Sequence, residues 1–145
     1  KGTHYVREAF DHLQRHYPHE VECSIEGGMP LPAYLEHLGK MNVVIDQTSS
    51  YSCGVNALFA LALGKVVLGG AEPENHLLYG DAPMPVLNIT PDAGSIVRQV
   101  EAVLAQRADL AQLGAASREF VATHHDHVRV AERYLAAWAQ PKKAV

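Results

Sequence analysis

Between Asn42 and Gly70 the chain reads Asn-Val-Val-Ile-Asp-Gln-Thr-Ser-Ser-Tyr-Ser-Cys-Gly-Val-Asn-Ala-Leu-Phe-Ala-Leu-Ala-Leu-Gly-Lys-Val-Val-Leu-Gly-Gly, an order that reads as strand, loop, helix, strand. Val43, Val44 and Ile45 are an unbroken β-branched run that suits a strand covered on both faces of a parallel sheet. The polar loop after it crowds Thr48, Ser49, Ser50 and Ser52 together, with Ser52 as an expected N-cap and Gly54 letting another molecule approach the helix mouth. From Val55 to Leu63 the helix is apolar nearly all round, which predicts that it is sandwiched in a core until Gly64 stops it. Val66, Val67 and Leu68 then form the next strand, completing a βαβ unit. Ligands of open α/β sheets bind beyond the carboxyl ends of the strands, where a helix N-terminus favours anions. The loop from Gln47 to Gly54 is the expected anion seat.

The flanking segments extend this pattern. Thr3 is the expected cap of a helix carrying Val6, Phe10, Leu13 and Tyr17 at helical spacing, ended by Pro18. Val21 to Ile25 reads as a strand, Glu26 to Pro30 as a turn, and Pro32 to Leu38 as a short helix closed by Gly39. Ala71 to Pro83 is a long polar loop, and loops of that length are often functional. Pro85 to Ile89 is the next predicted strand. Thr90-Pro91-Asp92 should open a helix with Thr90 as cap and Pro91 at the first position. Three helical stripes follow: Ile96, Val100, Val103 and Leu104; Leu110, Leu113, Ser117, Phe120 and Val121; Val128, Ala131, Tyr134, Leu135 and Trp138. Four strands alternating with helices predict one α/β domain over residues 1–145, a Rossmann-like, doubly wound parallel sheet in three layers.

Composition narrows the function. A formal net charge of -4 and no basic cluster longer than Lys142-Lys143 argue against a nucleic-acid partner. The longest apolar run, Ala57 to Leu63, falls far below the roughly 20 residues of a membrane span. A cytoplasmic enzyme domain is expected, with Cys23 and Cys53 as reduced thiols. His124-His125-Asp126-His127 invites a metal, but consecutive helical residues face different ways, so a helix junction with Asp126 as N-cap is expected and no metal or cofactor is assigned. Glu74-Asn75-His76 reads as surface loop, Cys53 as a buried structural thiol, and Asp46 as either a substrate contact or the start of a turn.

Lys1-Gly-Thr before an amphipathic helix ending in Tyr17-Pro18, Val-Ile-Asp-Gln at 44–47, and Ala-Leu-Ala-Leu-Gly-Lys-Val-Val at 60–67 resemble the C-terminal, donor-binding half of glycosyltransferases of the GT-B fold, family 4 type. The tail is similar as well, with Leu113-Gly114, Arg118, Phe120-Val121, His125-Asp126 and Tyr134. The resemblance covers Lys1 to Gln140 and implies a nucleotide-sugar donor and an acceptor-binding domain that precedes this segment. With no initiator methionine, the chain is expected to be a piece of a longer protein. On this resemblance Lys1 matches the lysine that contacts the donor diphosphate, and Ser50, Tyr51, Ser52, Cys53, Gly54 and Val55 form the loop and helix start that hold it.

Two family glutamates, eight positions apart, fall on Tyr51 and Phe59, neither of them acidic. Phe59 stands where a carboxylate would read the ribose, so either Glu72 or Glu74 replaces it or the site has decayed into a non-catalytic scaffold or interaction module. A phospho-acceptor receiver domain suits the length but needs an acidic cluster, and Asp46 stands alone. Trp138 and the last helix are expected to leave an apolar patch open to self-association or to the preceding domain.

Overall fold

The computed structural model describes residues 2–80 and 82–139, so Lys1 lies outside the described residues. It is an α/β protein: α1 (Thr3–His16), α2 (Leu31–Lys40), β1 (Val43–Ile45), α3 (Val55–Ala62), β2 (Val66–Gly69), a 3-10 turn (Pro73–Asn75) leading into α4 (His76–Tyr79), β3 (Val86–Asn88), α5 (Ala93–Ala105), α6 (Leu110–His124) and α7 (His127–Ala139). The sheet is small and parallel, ordered β1-β2-β3, with Val44 opposite Val67 and Leu68 opposite Leu87. Among the described residues there are three strands rather than four, and the central one is β2, whose residues are all buried. β1 is an edge strand and only half-buried.

The missing strand is Val21 to Ile25. Its side chains alternate at first as a strand's would, Val21 and Cys23 half-buried and Glu22 and Ser24 exposed, yet it joins no ladder. Alternation reports which side faces the protein; pairing needs a free neighbouring edge in register, which local sequence does not encode.

β2 explains how the core is divided. Val66 and Leu68 join Ala9 of α1 and Ala93, Ile96 and Val103 of α5 in one cluster, while Val67 joins Ala57, Ala60 and Leu61 of α3 and Phe120 of α6 in another. The two-residue period of the strand thus feeds both faces of the sheet. Close packing of α6 depends on small residues: a Cβ on Gly114 would lie 2.4 Å from the Gly64 carbonyl oxygen. Ser117 is buried beside it and donates to the Lys65 and Leu113 carbonyls at 3.1 and 3.0 Å.

Helix α3 departs from expectation. Its buried side packs on β1, β2 and α6, while Val55 is 68% exposed, Phe59 37% exposed and Leu63 41% exposed. These residues, four apart, line the more exposed face of α3. The caps also differ. Thr3 makes no capping bond, and Gly2 precedes α1 in a left-handed conformation at φ 76°. Gly54, not Ser52, is the cap residue of α3. At α5 the cap is Asp92, whose carboxylate accepts from the Ser95 amide at 2.7 Å, two residues after Thr90. Gly39 lies inside α2 rather than closing it. The Asp126 expectation holds, because its carboxylate accepts from the Val128 and Arg129 amides at 3.1 and 3.0 Å.

Candidate functional site

The carboxyl ends of β1 and β2 deliver two loops to one edge of the sheet, residues 46–54 and 70–75, and β3 braces them from below. Asp46 leaves β1 by donating its amide to the Leu68 carbonyl at 2.8 Å, then turns its carboxylate onto the Gly54 amide at 2.8 Å. That carboxylate sits at the mouth of α3, where unpaired amides and the helix dipole favour negative charge. Asp46 therefore starts the turn and also supplies an anion to the expected anion seat. Val55, Asn56 and Ala57 in the first turn have no intrahelical acceptor for their amides, as at any helix start.

The second loop is locked to the first by backbone. The Ser50 hydroxyl donates to the Ser52 carbonyl at 2.7 Å, folding this loop on itself. The Tyr51 carbonyl accepts from the Glu72 amide at 3.0 Å and from the Asn75 side-chain amide at 2.7 Å. Gly70 permits the approach, since a Cβ there would stand 2.1 Å from the Ser50 carbonyl oxygen and 2.9 Å from the Ser52 nitrogen. At the end of β3, Asn88 accepts from the Ala71 amide at 2.9 Å and donates to the Glu72 carboxylate at 3.0 Å. The start of α1 meets the same edge. A Cβ on Gly2 would lie 1.9 Å from the Thr48 hydroxyl, and Thr48 is buried.

The sequence-predicted residues separate into groups. Ser50, Ser52, Cys53 and Gly54 are half-buried in the folded loop, while the Tyr51 side chain is 74% exposed above it. Val55 and Phe59 stand on the open face of α3, and Phe59 belongs to neither core cluster. Glu72 joins the braced edge through Asn88, whereas Glu74 is exposed on the following turn. Burial, and next the charge of Asp46, push the Cys53 thiol above its ordinary range, so it stays protonated at neutral pH. Burial and the charge of Asp46 also raise the Tyr34 phenol, whose hydroxyl bonds the Asn56 side chain and ties α2 to the mouth of α3.

The loop from Ala71 to Pro83 is more ordered than its composition suggested, for the 3-10 turn and α4 lie within it. Asn75, inside the Glu74-Asn75-His76 triplet, is a buried anchor: its amide nitrogen donates to the Tyr51 and Glu72 carbonyls, and its Oδ1 has no partner. A pocket of about 370 Å³ opens beside this turn, lined by Glu72, Asn75, Tyr79, Met84 and Val86 among others. Sequence reading missed Asn75 and Asn88 as site builders. An amide side chain one residue before the end of a predicted strand, as Asn88 is, was the one local signal available.

Among the described residues no three His, Cys, Asp or Glu side chains converge as a metal-binding group, and no helix is long and apolar enough to cross a membrane. Both cysteines are free thiols. No protein-family model, curated protein or solved structure matches this chain.

Proposed function

We propose that this chain is the donor-binding half of a GT-B glycosyltransferase, a Rossmann-like, doubly wound α/β/α layer that receives a nucleotide-diphosphate sugar at the carboxyl edge of its sheet. The observation that carries the reading is the approach of Gly2 to Thr48, which brings the residue after Lys1 onto the loop leading to α3. The resemblance assigns the donor diphosphate to the Lys1 ammonium and the α3 mouth. Ser50, Ser52, Cys53, Gly54 and Val55 would then surround the phosphates, with Tyr51 over the sugar. In this reading the protein stabilises the negative charge that develops on the departing nucleoside diphosphate, by the lysine and the first-turn amides of α3. The acceptor would come from a domain preceding this segment, and the open faces of α3 and α7 suit such an interface.

Calorimetric titration with UDP and GDP tests the reading. Ligand at about 1 mM registers binding as weak as roughly 4 kcal/mol. Heat from one nucleotide that is lost in Lys1→Ala supports the donor seat; no heat from either, with a folded sample, removes it.

The second reading, a non-catalytic scaffold, is favoured by one specific feature: the Asp46 carboxylate already holds the Gly54 amide. Phe59→Glu discriminates. Phe59 is 37% exposed and outside both core clusters, so a folded variant is expected, and a carboxylate able to accept from ribose hydroxyls gains about 1.5–3 kcal/mol per bond, roughly 10- to 100-fold in affinity. A site that is merely weakened shows that gain, whereas a scaffold shows none.

A further inference from the structure

We propose that Tyr79 and His125 form a pH-sensitive clasp that holds the 73–79 helical turn against the end of α6, beside the pocket lined by Glu72 and Asn75. The turn needs such a clasp. Four residues are too few for α4 to persist by its own hydrogen bonds, and its Leu77 and Leu78 are 76% and 70% exposed, so they contribute little burial. Two anchors hold it. At the near end Asn75 bonds the Tyr51 and Glu72 carbonyls. At the far end Tyr79 enters an aromatic nest: Phe120 edge-on at 5.0 Å, His124 at 5.4 Å and His125 at 5.7 Å between ring centroids. Phe120 is itself buried and meets His124 at 4.8 Å, so the nest is continuous with the core under α3. Beyond Tyr79 the chain turns at Gly80, at φ 65° and ψ -146°, a conformation that favours glycine.

The polar contact in the nest lies between the Tyr79 hydroxyl and His125 Nε2 at 3.3 Å. With a neutral imidazole the phenol donates to Nε2; an imidazolium has no acceptor left there. Burial holds the His125 ring below its ordinary value of 6.5, followed by repulsion from His124 and Arg133. The sign follows: the clasped state prefers neutral His125, so the clasp is at full strength above that ordinary value and weakens as pH falls through the lower clasped value.

The other groups facing the ring do not reverse this. From α4 comes only Tyr79, whose phenol burial pushes up and which stays protonated across the acid range. From α6 comes His124, whose repulsion adds to the preference for a neutral His125. From α7 comes Arg133, already positive and donating to the His124 carbonyl. Asp126, next in the chain, has its Oδ1 committed to the Val128 and Arg129 amides. Cys53 faces Tyr79 as a neutral thiol. An imidazolium can still donate to the phenol oxygen, so acid loosens the turn without unfolding the domain.

Hydrogen exchange read at the Gly80 amide, which is bonded to the His76 carbonyl, tests the clasp between about pH 5 and about pH 7.5, after correction for intrinsic exchange. The wild-type chain should lose protection there several-fold on acidification while amides of β2 stay protected. His125→Phe keeps a ring and removes the titration, and its profile should be flat; His125→Gln is the second variant should the first not fold. His124→Gln should retain the wild-type slope, and Tyr79→Ala should be poorly protected at every pH. A flat wild-type profile, or an unchanged slope in both His125 variants, overturns the clasp. The readout involves no nucleotide, so it stands or falls apart from the glycosyltransferase reading.

Discussion

Gly70 sets how closely the two site loops can approach, and it does so by lacking a side chain rather than by an unusual backbone conformation. A methyl group there would meet backbone of Ser50 and Ser52, neither of which can swing aside as a flexible side-chain tip would. Overpacking of this kind costs about 1–3 kcal/mol, so Gly70→Ala should lower the denaturation midpoint by a corresponding amount, read in urea. Gly27→Ala is the control: nothing lies within 4 Å of a Cβ there, and the change should be neutral or gain up to about 1 kcal/mol through the unfolded chain. Equal losses at both positions would mean that the loop contact is loose in solution. The same reasoning separates Phe59 from its neighbours. In sequence it is one more apolar residue of an apolar helix; in the fold it lies on the more exposed side, because the sheet and α6 bury the opposite side of α3.

At the scale of elements, what was legible and what was not divide along physical lines. The helices α5, α6 and α7 follow from stripes at helical spacing, and the βαβ unit follows from two β-branched runs around a Gly-terminated helix, because these signals are local. The Asp126 cap was legible for the same reason, its partners being two and three residues away. The strand at Val21 to Ile25 was misread because pairing is decided by neighbours far along the chain. Asp46 was read only as an alternative because its bond to Gly54 spans a loop whose path the residues do not dictate. The Tyr79 and His125 contact, 46 residues apart, had no local signal at all. Helix α7 extends this contrast, since its spacing made it predictable although none of its side chains is buried. A chain ended after Asp126 should therefore keep its thermal midpoint within about 4 °C, the shift produced by roughly 1 kcal/mol in a domain of this size. A larger fall would show that α7 seals the core.

Across the whole molecule, β2 makes one cooperative unit of two cores. Its residues alternate between the cluster under α1 and α5 and the cluster under α3 and α6, so neither can be lost without exposing the strand that serves the other. Leu68 is fully buried in the first cluster and Leu61 in the second. Leu68→Ala and Leu61→Ala should each cost about 2–5 kcal/mol, and each should lower a single unfolding transition rather than split it. The probe matters. Trp138 is the only tryptophan and is 75% exposed on α7, so its emission reports the tail and not the cores. Backbone circular dichroism and hydrogen exchange at the amides of β2 and α3 are the measurements that decide the point. If Leu68→Ala frees α1 and α5 while α3 keeps its protection, the sheet does not couple its faces. If both faces go together in either variant, the edge carrying the two site loops is as stable as the whole domain.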